Sequence, residues 1–88
     1  MNSFIISYDL NNSGKNYNDL ISKIESYPKA AKINKSVWFI KTAKTCPQVR
    51  DDLLTVMDSD DSLFVAKLTG AAAWRNPICG SKHLKENL

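Results

Sequence analysis

Asp9 closes the most regular strand-like run in the chain, residues 3–10 (SFIISYDL), and other side chains able to do chemistry are thinly spread. In an extended backbone Phe4, Ile6, Tyr8 and Leu10 share one apolar face, while Ser3, Ile5, Ser7 and Asp9 share a mixed one. An acid at that place has two readings. It can present a carboxylate from a half-polar face to a ligand or cation. It can also simply end the strand, because Asp disfavours strand interiors and favours turns.

The remaining chemistry-bearing residues exclude several classes of activity. Cys46 and Cys79 lie far apart, with no C-x-x-C and no run of histidines, which fits neither a zinc site nor a disulfide scaffold. His83, the single histidine, stands between Lys82 and Lys85 near the C-terminal end, so neither Ser-His-Asp nor Cys-His catalysis can be built around it. Asp58, Asp60 and Asp61 are spaced like the start of a calcium loop, but the required glycine and the later Glu are missing. Lys29, Lys32 and Lys35 recur every third residue and Lys41 and Lys44 follow, with no acid between Glu25 and Asp51. That basic segment can neutralise phosphates or can be a solvated face, in a chain with formal charge +3 and a pI near 9.0.

The elements that must position these residues fit one domain of 88 residues, of which 43% are hydrophobic. A domain of this size buries only about 60–65% of the surface its unfolded chain exposes, so oligomerisation would help it. No apolar run approaches the roughly 18 to 20 residues of a membrane span. The opening Met1-Asn2-Ser3 lacks the basic head of a signal peptide, and a cytoplasmic location is the expectation.

After the first strand, residues 11–15 form a turn-rich loop. Tyr17, Leu20, Ile21, Ile24 and Tyr27 recur at helical spacing, predicting an amphipathic helix over 16–27 that Pro28 ends. Residues 30–33 and 36–42 read as two strands joined by a short turn at Asn34-Lys35; the second is rich in β-branched and aromatic residues. Trp38 within it is a core residue or, as the alternative, a platform for a base. Thr45 and Gln48 are spaced as a capping box with Pro47 in the first turn, so a second helix starts there, burying Val49, Leu53, Val56 and Met57. Residues 62–69 form a last strand, with Phe64, Ala66 and Leu68 expected on the helix-facing side and Leu63 and Val65 opposite. In the tail, 71–88, Ser81 is expected to cap a short helix through Leu88, with Leu84 on its apolar side.

The order β-α-β-β-α-β predicts an α+β, ferredoxin-like domain over 1–70, a four-stranded antiparallel sheet with two helices on one face. The opposite face, with Ile5, Leu63 and Val65, is too apolar to leave in water, so a partner or the tail is expected to cover it.

Ile6-Ser7-Tyr8-Asp9-Leu10, the long helix, and Ser36-Val37-Trp38-Phe39-Ile40-Lys41-Thr42 together resemble the small CRISPR-associated ferredoxin-like ribonucleases. The resemblance is closest to their stand-alone SinR-family and VapD-like relatives, whose chains carry a similar S-x-W-x-I-K-T strand, and it covers about residues 3–70. It implies a homodimer whose open sheet faces pack together, with Ile5, Leu63 and Val65 at the interface. It further implies that the two Asp9 carboxylates hold one Mg²⁺ or Mn²⁺ for endoribonuclease chemistry, with Ser36 beside the site. Ser7 shares a strand face with Asp9, and Lys29, Lys32, Lys35 and Lys41 of the basic segment are the candidates to hold an RNA or DNA backbone. Some members of that group bind nucleic acid or other proteins without cutting. A non-catalytic adaptor of a CRISPR- or phage-defence-related system is therefore the alternative expectation.

Overall fold

Strong local signals set the elements in the computed structural model, which describes residues 1–11 and 17–88. Strand β1 (Asn2–Asp9) leads to helix α1 (Asn18–Glu25), the hairpin β2 (Ala31–Asn34) and β3 (Val37–Thr42), helix α2 (Cys46–Leu54), β4 (Ser62–Leu68) and a terminal helix α3 (Ser81–Asn87). The expected start of the first helix at Asn16, and most of the loop before it, lie outside the described residues.

The sheet order is β2-β3-β1-β4, every neighbouring pair antiparallel, which is the ferredoxin-like arrangement. Phe4, Ile6 and Tyr8 of β1 and Trp38 and Ile40 of β3 pack against Leu20 and Ile24 of α1 and Val49 and Leu53 of α2. Trp38 is buried, and its indole N–H donates to the Tyr8 hydroxyl at 3.3 Å, so this ring belongs to the core and stacks no base. The capping box at Thr45 forms as its spacing predicts: Gln48 N–H donates to Thr45 Oγ1 and Thr45 N–H to Gln48 Oε1. Helix α2 stops at Leu54, yet Val56 and Met57 beyond it still pack on the core.

One expectation is reversed. Pairing with β1 sets Leu63 opposite Tyr8 and Val65 opposite Ile6, so both face the helices, and both pack against the core. Phe64, opposite Ser7, and Ala66, opposite Ile5, therefore lie on the other face. Because side chains alternate strictly along a strand, one register choice decides the side of all seven residues.

The tail covers part of that second face. Leu84 of α3 is buried, and the His83 ring meets Phe39 edge-on at 5.7 Å between centroids. Ser3 Oγ donates to the Asn87 carbonyl at 3.0 Å, His83 Nε2 donates to the Lys29 carbonyl at 2.9 Å, and Ile78 N–H donates to the Ile33 carbonyl of edge strand β2. Phe39 and Ala31 are sealed beneath this lid. The helix is entered through Gly80 at φ 83°, a left-handed backbone that glycine adopts without strain. Gly80, not Ser81, is thus the N-cap; Ser81 Oγ instead accepts the Trp74 indole N–H at 3.1 Å.

Candidate functional site

β1 delivers Asp9 to the end of the sheet, exposed, and among the described residues its carboxylate has no hydrogen-bond or ion-pair partner. Ser62 of β4 stands directly across from it, and the next pair inward is Ser7 with Phe64. Together with Tyr8 and Leu63 these residues line a shallow depression of about 160 Å³. On the other side of β1, the Tyr8 N–H donates to the Ser36 carbonyl at 3.1 Å, which brings the β2–β3 turn and exposed Lys35 to the same end of the sheet.

Ser7 and Ser36 thus flank the Asp9 end. Ile5 is on the open face but lies toward the tail, while Leu63 and Val65 are turned into the core and cannot form an interface across that face. Their place is taken by Phe64, which is 64% exposed and directly adjacent to the Asp9 depression.

The four lysines do not form one stripe. Lys32 pairs with Trp38 on the helix side of the sheet, whereas Lys41 pairs with Ser3 on the open side. Lys29 sits in a left-handed turn at φ 57°, near Lys41, whose N–H donates to the Pro28 carbonyl. Lys35 occupies the turn at the opposite end of that hairpin. The pleat and the turn scatter what was regular in the sequence, and Lys35 alone of the four shares the Asp9 end.

Two further clusters have structural work to do. The carboxylate oxygens of Asp58, Asp60 and Asp61 lie within 4.8 Å of one another. Asp61, however, already accepts the N–H groups of Asn11 and Asp58 and the Tyr17 hydroxyl, and Asn11 also donates to the Asp60 carbonyl. These acids tie the loop before β4 to the loop after β1. On the helix side, Tyr27 donates to Asp52, which pairs with Lys23 at 3.2 Å and Lys44 at 3.7 Å; the Lys44 ammonium lies over the Tyr27 ring. Burial, then Asp52, raises the Tyr27 hydroxyl well above the usual tyrosine range. The Tyr27 hydrogen bond, reinforced by Lys23 and Lys44, holds the Asp52 carboxyl below the usual carboxylate range.

The second concavity of interest was not read from the sequence. A cleft of about 260 Å³ opens between the sheet and the tail, floored by Ile5, Val37 and Phe39 and walled by Trp74, Arg75 and Leu84. Trp74 and Arg75 lie in a segment without regular backbone, where no periodicity announces which side chains will face a common space.

Among the described residues Asp9 is an unengaged oxygen donor of the kind a hard divalent cation takes, and they supply one such carboxylate at this point. A comparison with protein-family models, with curated proteins and with solved structures returns no match.

Proposed function

We propose that the protein is a nucleic-acid-binding homodimer in which the Asp9 carboxylates of two copies come together and support divalent-metal-dependent hydrolysis of a phosphodiester, in the manner its sequence resemblance implies. The observation that carries this reading is the Asp9 carboxylate, unengaged among the described residues, at the rim of the uncovered sheet face, beside exposed Phe64. An exposed aromatic ring of this size is a natural anchor for a second copy; fully burying it would stabilise association by about 1.5–3 kcal/mol. Asp9 from each copy would hold Mg²⁺ or Mn²⁺, and the bound cation would supply a water of lowered pKa and charge stabilisation at the phosphate. Ser62, Ser7 and Ser36 are placed to orient a phosphate oxygen by hydrogen bonds, and Lys35 to attract the backbone.

The test is incubation of purified protein with single-stranded RNA in Mg²⁺ or Mn²⁺, with EDTA as control. Asp9→Asn should abolish cleavage while keeping the dimer and most of the affinity for nucleic acid. Cleavage that persists in the pure variant, or a wild-type protein that stays monomeric at micromolar concentration, overturns the shared site.

A second reading, a non-catalytic adaptor whose dimer presents a docking surface, is favoured by the composition of the depression. Among the described residues it is lined, besides Asp9, by Ser7, Tyr8, Ser62, Leu63 and Phe64, which include no histidine, lysine or second acid to protonate a leaving group. Nucleic-acid binding without metal-dependent cleavage would select this reading.

A further inference from the structure

The cleft beneath the tail combines an apolar interior with one charge. Arg75 carries the sole charged side chain among its lining residues, and among the described residues that guanidinium is in no ion pair. No acidic side chain lines the cleft to compete for it. Trp74, next to it, is half-buried, and the hydrogen bond from its indole N–H to Ser81 fixes the ring's orientation. Asn76, at φ 51°, turns the chain sharply just after this pair. At about 260 Å³ the space falls just short of typical drug-sized sites, roughly 300–1,000 Å³, so it suits one ring system with a small substituent.

We propose that this cleft binds one unstacked nucleotide, its base against the Trp74 ring and its phosphate on Arg75, with the Asn34 amide at the rim for the base edge. The inference rests on the nucleic-acid-binding reading and deepens it, since it names single-stranded nucleic acid as the ligand. Three physical features favour this occupant. An indole face stacks any base regardless of sequence. A guanidinium binds phosphate with a fork of fixed N–H donors. A base held inside a duplex could not enter a narrow cleft of this volume. A free nucleoside monophosphate carries the same chemistry, and the experiment separates the two sources.

Fluorescence anisotropy of the full-length chain with a labelled single-stranded RNA decamer is compared with its duplex, and with competition by uridine 5′-monophosphate. Single strand should bind better than duplex. Trp74→Ala should weaken decamer binding roughly five- to hundredfold, the range one stacked base supports, and Trp74→Phe should recover most of it. Arg75→Gln, at an exposed position, should lower the slope of log affinity against log salt by about one phosphate contact. Circular dichroism checks that each variant is folded. If the decamer binds wild type and all three variants alike, the cleft assignment is wrong while the nucleic-acid reading survives. If neither decamer nor monophosphate binds, both fall. Monophosphate binding as tight as the decamer's, lost in Trp74→Ala, supports the site and makes a free nucleotide its source.

Discussion

On the α1–α2 side of the sheet Phe4 is 2% exposed and Ile6 and Ile40 are 0% exposed, whereas on the other side Phe64 is 64% exposed and an open cleft runs beneath the tail. Both sides are apolar, so hydrophobicity alone does not separate them. What separates them is the length and shape of the covering layer. Two helices with apolar stripes seal the first side, while the second carries one helix of seven residues and an irregular loop. A short cover cannot fill the space over four strands, and the unfilled remainder consists of the cleft with Trp74 and Arg75 and the Phe64 patch with Asp9. The sealed side fixes the fold, and the partly sealed side is where this protein can meet something else.

The largest effects expected from substitution should follow that division. Phe4→Ala removes a fully buried ring from a close-packed layer and should destabilise the protein by about 3–5 kcal/mol. Leu84→Ala on the tail side should cost about 2–3 kcal/mol, because its neighbourhood borders a cleft and can relax. Urea midpoints with unchanged slopes give both numbers. Equal costs would show that the two sides are packed alike and that the cleft is filled in solution. The same reasoning reassigns Val65→Asp. That change would put a charge against the core and unfold the domain, so it reports on stability and says nothing about association.

Much of this division is legible in the sequence. The β-α-β-β-α-β order follows from periodicities of two and of about 3.6 and from the Thr45–Gln48 box, all of which are local signals. The side on which β4 puts each residue is not local. Leu63 and Val65 make an apolar face, but so do Phe64, Ala66 and Leu68, and alternation cannot choose between two apolar faces. The register with β1 chooses, by setting Leu63 and Val65 beside Tyr8 and Ile6. Asp9 was legible for the opposite reason: it is the one charged residue in an otherwise uncharged strand. The even spacing of Lys29, Lys32 and Lys35 promised a stripe, but it spans a left-handed turn, an edge strand and a hairpin loop, and no single periodicity applies across them. Trp74 and Arg75 became recognisable only once the tail was seen folded over the sheet.

An intermediate effect is expected at the rim of the sealed side, where Tyr27 and Asp52 link the end of α1 to α2. Tyr27→Phe deletes one hydrogen bond to a charged group and should cost about 1–2 kcal/mol at neutral pH. The pH dependence has a definite sign. The Asp52 pKa is lower in the folded state than in the unfolded chain, so its contribution is present above about pH 4 and is lost as pH falls through the depressed value. The Tyr27 pKa is raised, so its contribution is complete below about pH 10 and is lost as pH rises through the folded value. Tyr27→Phe should therefore lose less stability than wild type between pH 7 and pH 3. Parallel wild-type and variant curves over that interval would remove Asp52 as the group responsible.

The smallest effect on the fold, and the most informative for association, belongs to Phe64. It touches solvent over most of its surface, so Phe64→Ser should change monomer stability by no more than about 0.5 kcal/mol. If two copies meet over the uncovered part of the sheet, the same substitution removes an anchor that would be buried only in the dimer, and each dimer would lose two such rings. Association should then weaken by a factor of roughly a hundred or more, on the order of 1.5–3 kcal/mol per ring. Analytical ultracentrifugation of wild type and Phe64→Ser over a concentration series reads this directly, alongside their urea midpoints. Equal midpoints at concentrations where both proteins are monomeric, with the dimer lost in the variant at higher concentration, would place the interface beside Asp9, where a shared carboxylate site requires it. A dimer untouched by Phe64→Ser would put the interface elsewhere and leave each Asp9 carboxylate without its counterpart.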